Sequence, residues 1–321
     1  MTLPRTLKLL ALTLAMASGL VQAQSYPNRP VKIVVPFASG GPADNYARFM
    51  AQRLSEEFKQ SFVIDNKPGA GSIIGTDFVA KSAPDGYTLL MMSNAHTVNE
   101  SLIPNKPFGL MKDFVGIAPV NYSNLLLVVH PSVPVKTVGE LVTLAKSKPG
   151  KLNFASSGNG TPYHMAGELF KHMAGIDMTH VPYKGSSGAR TDIVGGQVDV
   201  MFDAETTMAE FARNGKVRTL GATGLVRSTN LPDLPTVAET VPKYEATIWL
   251  GFMAPKGTPA DIVNKLNAEI RKIANNPEVK TTWAKQGAVP MSMTVAEFDH
   301  YLNADIAKWA NIVKVSGAKA D

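Results

Sequence analysis

Along this chain, short apolar runs rich in β-branched residues alternate with segments whose apolar positions recur every three or four residues. The first run, VKIVVP at 31–36, reads as a buried strand. Behind it Ala43, Tyr46, Ala47, Met50, Ala51 and Leu54 fall on one face of a predicted helix. A second strand is predicted over 61–65, closed by the turn sequence Asn66-Lys67-Pro68-Gly69-Ala70-Gly71. A helix over 76–81, the turn Pro84-Asp85-Gly86 and a strand over 87–93 complete a βαβαβ unit. Such a unit implies a parallel sheet with helices on both faces.

The alternation then starts again. Strands are predicted over 125–129, 151–155, 179–183, 198–202 and 216–222, with helices over 138–148, 162–174 and 187–194 between them. Residues 223–247 read as loop, with Gly224, Asn230, Pro232, Pro235 and Pro242. A short strand over 248–253 follows. Thr258 and Pro259 then suit an N-cap and first helical position ahead of the stripe Ile262, Leu266, Ile270 and Ile273. Thr294 to Glu297 is a capping box ahead of Phe298, Leu302, Trp309 and Val313. Two α/β units in series predict two lobes. Strands near Leu125 and Ile248 bracket the second unit, so the expected division is 24–123 and 248–321 for lobe 1 and 124–247 for lobe 2. The C-terminal helices should pack on lobe 1, and the two crossings should act as a hinge.

A length of 321 residues, with 45% hydrophobic and 18% charged, suits a globular chain of about two domains. The first 23 residues change the picture. Arg5 and Lys8 precede an apolar run from Leu9 to Val21 that closes on Val21-Gln22-Ala23. This is the pattern of a cleaved signal peptide, with cleavage expected after Ala23 and Ala17 as the alternative site. The run is too short to be a good membrane span, so a soluble, exported, periplasmic chain is expected. With no cysteine, neither a disulfide nor a lipidated cysteine is available. The formal charge of +6 loses two positives with Arg5 and Lys8, leaving about +4. No basic run interleaved with aromatic residues occurs, so nucleic acid is not an expected partner.

The candidate chemistry lies at two strand-to-helix junctions that share a local sequence. One is Phe37-Ala38-Ser39-Gly40-Gly41; the other runs from Phe154 through Ala155, Ser156, Ser157, Gly158 and Gly160 to Thr161. In parallel sheets ligands sit beyond the carboxyl ends of the strands. Glycines there can take positive φ and turn backbone N–H groups outward. The helices that follow add unpaired first-turn N–H groups and partial positive charge. Together these make an anion site that needs no cationic side chain. Ser39, Ser156, Ser157 and Thr161 can add hydroxyl donors. Asp44, in a first helical turn, can cap local N–H groups or meet a ligand. Ser93, Asn94 and Asp203 end strands that face the same cleft.

At these residues the chain resembles a known family, the Bug-type substrate-binding proteins of tripartite tricarboxylate transporters. The matching stretches include YPNRPVKIVVPFASGGPADNYAR, NKPGAGSIIG, PDGYTLL, ASSGNGTPYHMAGELF, HVPYKG, GGQVDVMFD, PTVAE and WLGFMAPKGTP. The resemblance implies a type II periplasmic binding protein fold: two Rossmann-like lobes joined by a two-strand hinge. It implies a monomer that closes on a small organic anion, usually a carboxylate, and then docks on integral-membrane permease subunits, without a cofactor or metal. By motif, the gripping loops would be Phe37 to Asp44 and Ser156 to His164. Pro162 and Tyr163 depart from the smaller residues expected there, and Tyr163 is a candidate pocket residue.

Other readings fit less well. His164, Glu168 and His172 share a helical face as zinc ligands would, but they do not form the metalloprotease motif. A serine hydrolase would need the G-x-S-x-G elbow, which ASSGNG does not supply. The effector lobes of a transcription regulator share the two-lobe plan, but the leader argues against them. The methionines suit core packing, and Lys184 suits a surface turn.

Overall fold

The computed structural model describes residues 26–320; the expected leader and its cleavage site lie outside them. The chain opens with β1 (Val31–Val35), α1 (Pro42–Phe58), β2 (Phe62–Asn66), α2 (Ile73–Ala80) and β3 (Thr88–Ser93). The three strands pair in parallel in the order β2-β1-β3. Helices α3 (Ala95–Leu102) and α4 (Leu110–Asp113) lead into β4 (Phe114–Val129), a strand of 16 residues. A second unit follows: α5 (Val138–Ser147), β5 (Asn153–Ser156), α6 (Pro162–Ala174), β6 (Thr179–Pro182), α7 (Ser186–Val194), β7 (Val200–Ala204), α8 (Glu205–Arg213) and β8 (Arg218–Ala222). The chain closes with β9 (Thr247–Pro255), α9 (Ala260–Asn275), α10 (Pro277–Ala284), β10 (Ala288–Pro290) and α11 (Val295–Ser316).

The two halves are joined through β4. From Phe114 to Asn124 it pairs antiparallel with β9; from Leu125 to Val129 it pairs with β7 and β8 instead. One strand therefore belongs to both sheets, and its partner changes between Asn124 and Leu125. The first half of β4 is not evident in the sequence, because Gly116, Pro119, Asn121 and Ser123 read as loop. Register shifts between Gly116 and Ala118 and between Pro119 and Asn121 accommodate these residues. Bulges of this kind are where a sheet tolerates proline. Helices α3 and α8 are not among the predicted elements: each is short, and on α3 the polar residues His96, Thr97 and Asn99 are buried beside the stripe Ala95, Val98 and Leu102.

Each lobe has its own core. In lobe 1, Ile33, Met50, Leu54, Phe252 and Trp283 pack together, and Val263, Leu266, Ile270 and Ile273 of α9 close one face. In lobe 2, Leu127, Phe154, Phe170, Phe202 and Tyr244 do the same. Helix α11 does more than cover lobe 1. Its Phe298 and Leu302 pack with Trp249 and Phe114, while Trp309 reaches a separate cluster containing Val98 and Leu102 of α3 and Met165 of α6. Asp305 on the same helix accepts from Thr97 Oγ1 at 2.6 Å and from Trp249 Nε1 at 3.2 Å. The C-terminal helix thus touches both lobes.

Trp309 is only 2% exposed. Replacing a buried tryptophan by alanine costs about 3–5 kcal/mol through lost transfer energy and the cavity left behind. Trp309→Ala should lower the urea midpoint by a corresponding amount. A midpoint equal to wild type would show that the helix end adds nothing to the packing between lobes.

Candidate functional site

A narrow cavity of about 20 Å³ lies between the lobes, room for little more than a water molecule, so the lobes are nearly closed on it. Lobe 1 contributes Phe37, Ala38, Gly41, Pro42, Ala43 and Ser93 to its wall, and lobe 2 contributes Ser157, Pro162, Tyr163 and Ser186. Ile248 and Leu250 of β9 form part of the wall from the crossing strand. Three of these residues open helices: Pro42 begins α1, Pro162 begins α6 and Ser186 begins α7. The first-turn N–H groups of a helix have no intrahelical acceptor and carry partial positive charge. Three such ends meet at one cavity whose wall includes no Lys, Arg, Asp or Glu among the described residues.

The first loop is held from behind. Gly40 adopts φ +79°, a conformation open to glycine at little cost, and its N–H donates to Asp44 Oδ2 at 3.0 Å. The same oxygen accepts from Arg48 Nε at 3.0 Å, and Asn66 Nδ2 donates to Asp44 Oδ1 at 2.9 Å. Burial would raise the Asp44 carboxyl, but the bonds from Arg48, Gly40 and Asn66 outweigh it and hold the group below its ordinary value. Both Asp44 oxygens are therefore engaged in shaping the loop. Gly41, the N-cap of α1, has φ −88°, so the expected positive φ does not apply to it. Its constraint is room, since an added Cβ would stand 3.1 Å from Ser186 Oγ. Ser39 is exposed on the outside of the loop.

The second loop uses most of its polar groups on itself. Gly158 and Gly160 have φ +127° and +71°. Thr161 caps α6 and donates from Oγ1 to the Gly158 carbonyl at 2.6 Å. Ser156 Oγ accepts from the Gly158 N–H at 3.1 Å and lies 2.6 Å from His180 Nε2. His164 Nδ1 accepts from the Gly160 N–H at 3.1 Å, and its ring stacks on His180 with centroids 4.0 Å apart. Ser156, Thr161 and His164 therefore support the loop, whereas Ser157, Pro162 and Tyr163 face the cavity. Glu168 pairs with Lys171 at 3.0 Å rather than closing on both histidines. The lobes are pressed together here: a Cβ on Gly160 would lie 1.9 Å from Asn99 Oδ1, and one on Gly71 2.3 Å from the Asn159 carbonyl.

The remaining candidates separate in the same way. Ser93 lines the cavity and its Oγ accepts from the Ala95 N–H at 3.2 Å. Asn94 stands behind it, donating from Nδ2 to the Thr247 carbonyl at 2.9 Å, so it ties α3 to β9. Asp203 is fully buried and paired with Arg190 Nε at 3.0 Å. Burial pushes its carboxyl up to about 6, and Arg190 opposes this. Sequence reasoning missed Ser186, Arg190, Ile248 and Leu250. A signal for the first existed: Gly185-Ser186-Ser187 follows β6 as the other glycine loops follow β1 and β5. Gly185 is needed because a Cβ there would stand 2.8 Å from Ala38 Cβ of the opposite lobe.

A sequence model of the tripartite tricarboxylate transporter family receptor, TctC, matches residues 46–318. Protein BugT of Bordetella pertussis is 36% identical over 99% of both chains. Among solved structures, R. palustris Rpa4515 with adipate is 35% identical with a TM-score of 0.89, over 92% of this chain and 99% of that one. MatC from Rhodopseudomonas palustris with bound malate is 31% identical with a TM-score of 0.85, over 90% of this chain and all of that one.

The His164 imidazole behind the second loop sets a pH dependence. Burial lowers His164 from 6.5 to about 3, with His180 and Lys171 adding to the effect. The unfolded chain therefore takes up this proton first. The stability His164 contributes is present above about pH 6.5 and is lost as pH falls toward 3, by about 1.4 kcal/mol per unit. Asp203, raised to about 6, acts in the opposite sense, so the comparison of a variant with wild type isolates the imidazole. His164→Asn should show a flatter fall of melting temperature between pH 7 and 5. Parallel pH profiles for the two proteins would contradict the assignment.

Proposed function

Because the chain belongs to the tripartite tricarboxylate transporter receptor family, a family of solute receptors rather than enzymes, we propose that its interlobe cavity takes up a small organic carboxylate for delivery to membrane permease subunits. Receptors of this family are periplasmic, and we read the first 23 residues as the signal that brings this one there. The observation that carries the carboxylate reading is the meeting of three helix N-termini at a small cavity walled by neutral residues. Such an end favours an anion by its dipole and its free donors together.

In this reading one carboxylate accepts hydrogen bonds from the first turn of α1 on lobe 1 and from the first turns of α6 and α7 on lobe 2. The hydroxyls of Ser157 and Ser186 add donors within the wall. Hydrogen bonds to an ionised acceptor are short and about twice as strong as neutral ones. Phe37, Pro162, Ile248 and Leu250 then offer apolar surface to the rest of the ligand. The lobes, 24–123 with 248–321 and 124–247, hinge at β4 and β9. A ligand favours their closure only by its difference in affinity between the two arrangements, and donors split between lobes supply that difference.

The relatives with adipate and malate make linear dicarboxylates the first compounds to try. In a thermal-shift panel of mono-, di- and tricarboxylates, amino acids and sugars, a carboxylate should stabilise the protein. At about 100 times its dissociation constant the gain is about 2.7 kcal/mol. Gly41→Val should abolish that gain and lower the ligand-free melting temperature less than Gly158→Val does, because φ at Gly41 suits any residue and the crowding is with the Ser186 hydroxyl, 3.1 Å from the added Cβ. Gly158→Val should lower both. Its positive φ strains any side chain, and an added Cβ would stand 2.8 Å from the Tyr183 carbonyl oxygen. Stabilisation by a neutral sugar and by no carboxylate would contradict the proposal.

A further inference from the structure

Lobe 2 also supplies a side chain to the rear of the first glycine loop. Arg190, on α7, is 8% exposed. Its Nε lies 3.0 Å from Asp203 Oδ2. Its Nη2 donates to Ser186 Oγ at 3.1 Å and to the Gly40 carbonyl at 2.9 Å. Asp203 and Ser186 belong to lobe 2, whereas Gly40 belongs to lobe 1. The guanidinium is thus fixed on its own lobe by two partners and reaches the other lobe with a third contact. Arginine suits this role because its fork presents several donors in one rigid plane.

The choice of acceptor gives this contact its significance. The Gly40 carbonyl and the Gly41 N–H belong to one planar trans peptide and point in opposite directions. Drawing the carbonyl toward Arg190 therefore sets the Gly41 N–H on the other side of the loop, and Gly41 lines the cavity. The Gly40 N–H is already held by Asp44, so the peptides on both sides of Gly40 are restrained. A positive charge on the carbonyl also polarises the same peptide and strengthens its N–H as a donor. Neighbouring contacts place the two segments face to face. Ala38 N–H donates to the Lys184 carbonyl at 3.3 Å.

We propose that Arg190 is a positioning residue: from lobe 2 it orients the anion-binding peptide of lobe 1, and does so only when the lobes are together. The proposal rests on the carboxylate-receptor reading of the cavity. When the lobes part, the Gly40 carbonyl loses Arg190, and a glycine peptide released from one restraint has wide rotational freedom. The best donor geometry then exists only in the closed arrangement. That is the differential affinity by which a ligand favours closure, and here it comes from a group that need not touch the ligand.

Removing Arg190 alone would leave Asp203 buried without its partner, a strongly destabilising change, whereas replacing both members of a buried pair by apolar residues is often neutral. The test therefore uses Arg190→Met/Asp203→Leu, with Arg190→Lys beside it. Association and dissociation rates are measured with adipate, or with the tightest carboxylate in the panel if wild type does not bind adipate. Dissociation of the double variant should be about tenfold faster, with a smaller change in association and the ligand-free melting temperature nearly kept. Arg190→Lys should fall between, because one ammonium cannot reproduce the two-sided fork. A double variant that releases ligand at the wild-type rate overturns the proposal, as does a lowered melting temperature with an unchanged dissociation rate. Absence of carboxylate binding in wild type would instead defeat the receptor reading, and this proposal with it.

Discussion

An anion that leaves water has to be met by hydrogen-bond donors, and among the described residues the wall of this cavity offers them without a cation. Helix N-termini answer that need, because their first N–H groups are left unpaired by helix geometry itself. The three ends here come from α1, α6 and α7, so neither lobe holds the full set. Much else in the site follows from keeping those ends aligned. Asp44, Asn66 and Arg48 brace one loop. Thr161, Ser156 and the stacked His164–His180 pair brace the other.

A divided site requires halves that can separate and return to the same register. Strand β4 meets the second requirement by belonging to both sheets, with β9 starting beside it at the crossing, where Thr247 pairs with Asn124. Helix α11 adds a contact that spans the gap, through Trp309 and Met165. Close approach depends on glycines: Gly71, Gly160 and Gly185 each stand where the opposite lobe leaves no room for a side chain. These glycines serve the fit between lobes rather than the turn alone.

The architecture is largely readable from the hydrophobic pattern, because the central strands of both βαβ runs are short apolar runs buried on both faces and the helices between them bury one face. The predicted helix over 162–174 matches α6. Periodicity fails where burial is polar or the strand is irregular. Helix α3 buries His96, Thr97 and Asn99, and the first half of β4 carries Gly116 and Pro119 at its bulges. Within the site, glycine and serine at the ends of β1 and β5 stand out because the two junctions share a sequence. The junction after β6 lacks the shared Phe-Ala-Ser, so only its Gly185-Ser186-Ser187 run at the same place after a strand marks Ser186. Arg190 leaves no local signal, because its partners at positions 40 and 203 are adjacent only in the folded chain.

The central claim is that one anion is gripped by donors from both lobes at the α1, α6 and α7 termini. A crystal structure of the protein with a bound dicarboxylate tests it most directly. The account predicts a carboxylate within hydrogen-bonding distance of the first turn of α1 and of at least one of the two lobe 2 termini. A carboxylate bound to one lobe alone, or seated outside this cavity, would contradict it.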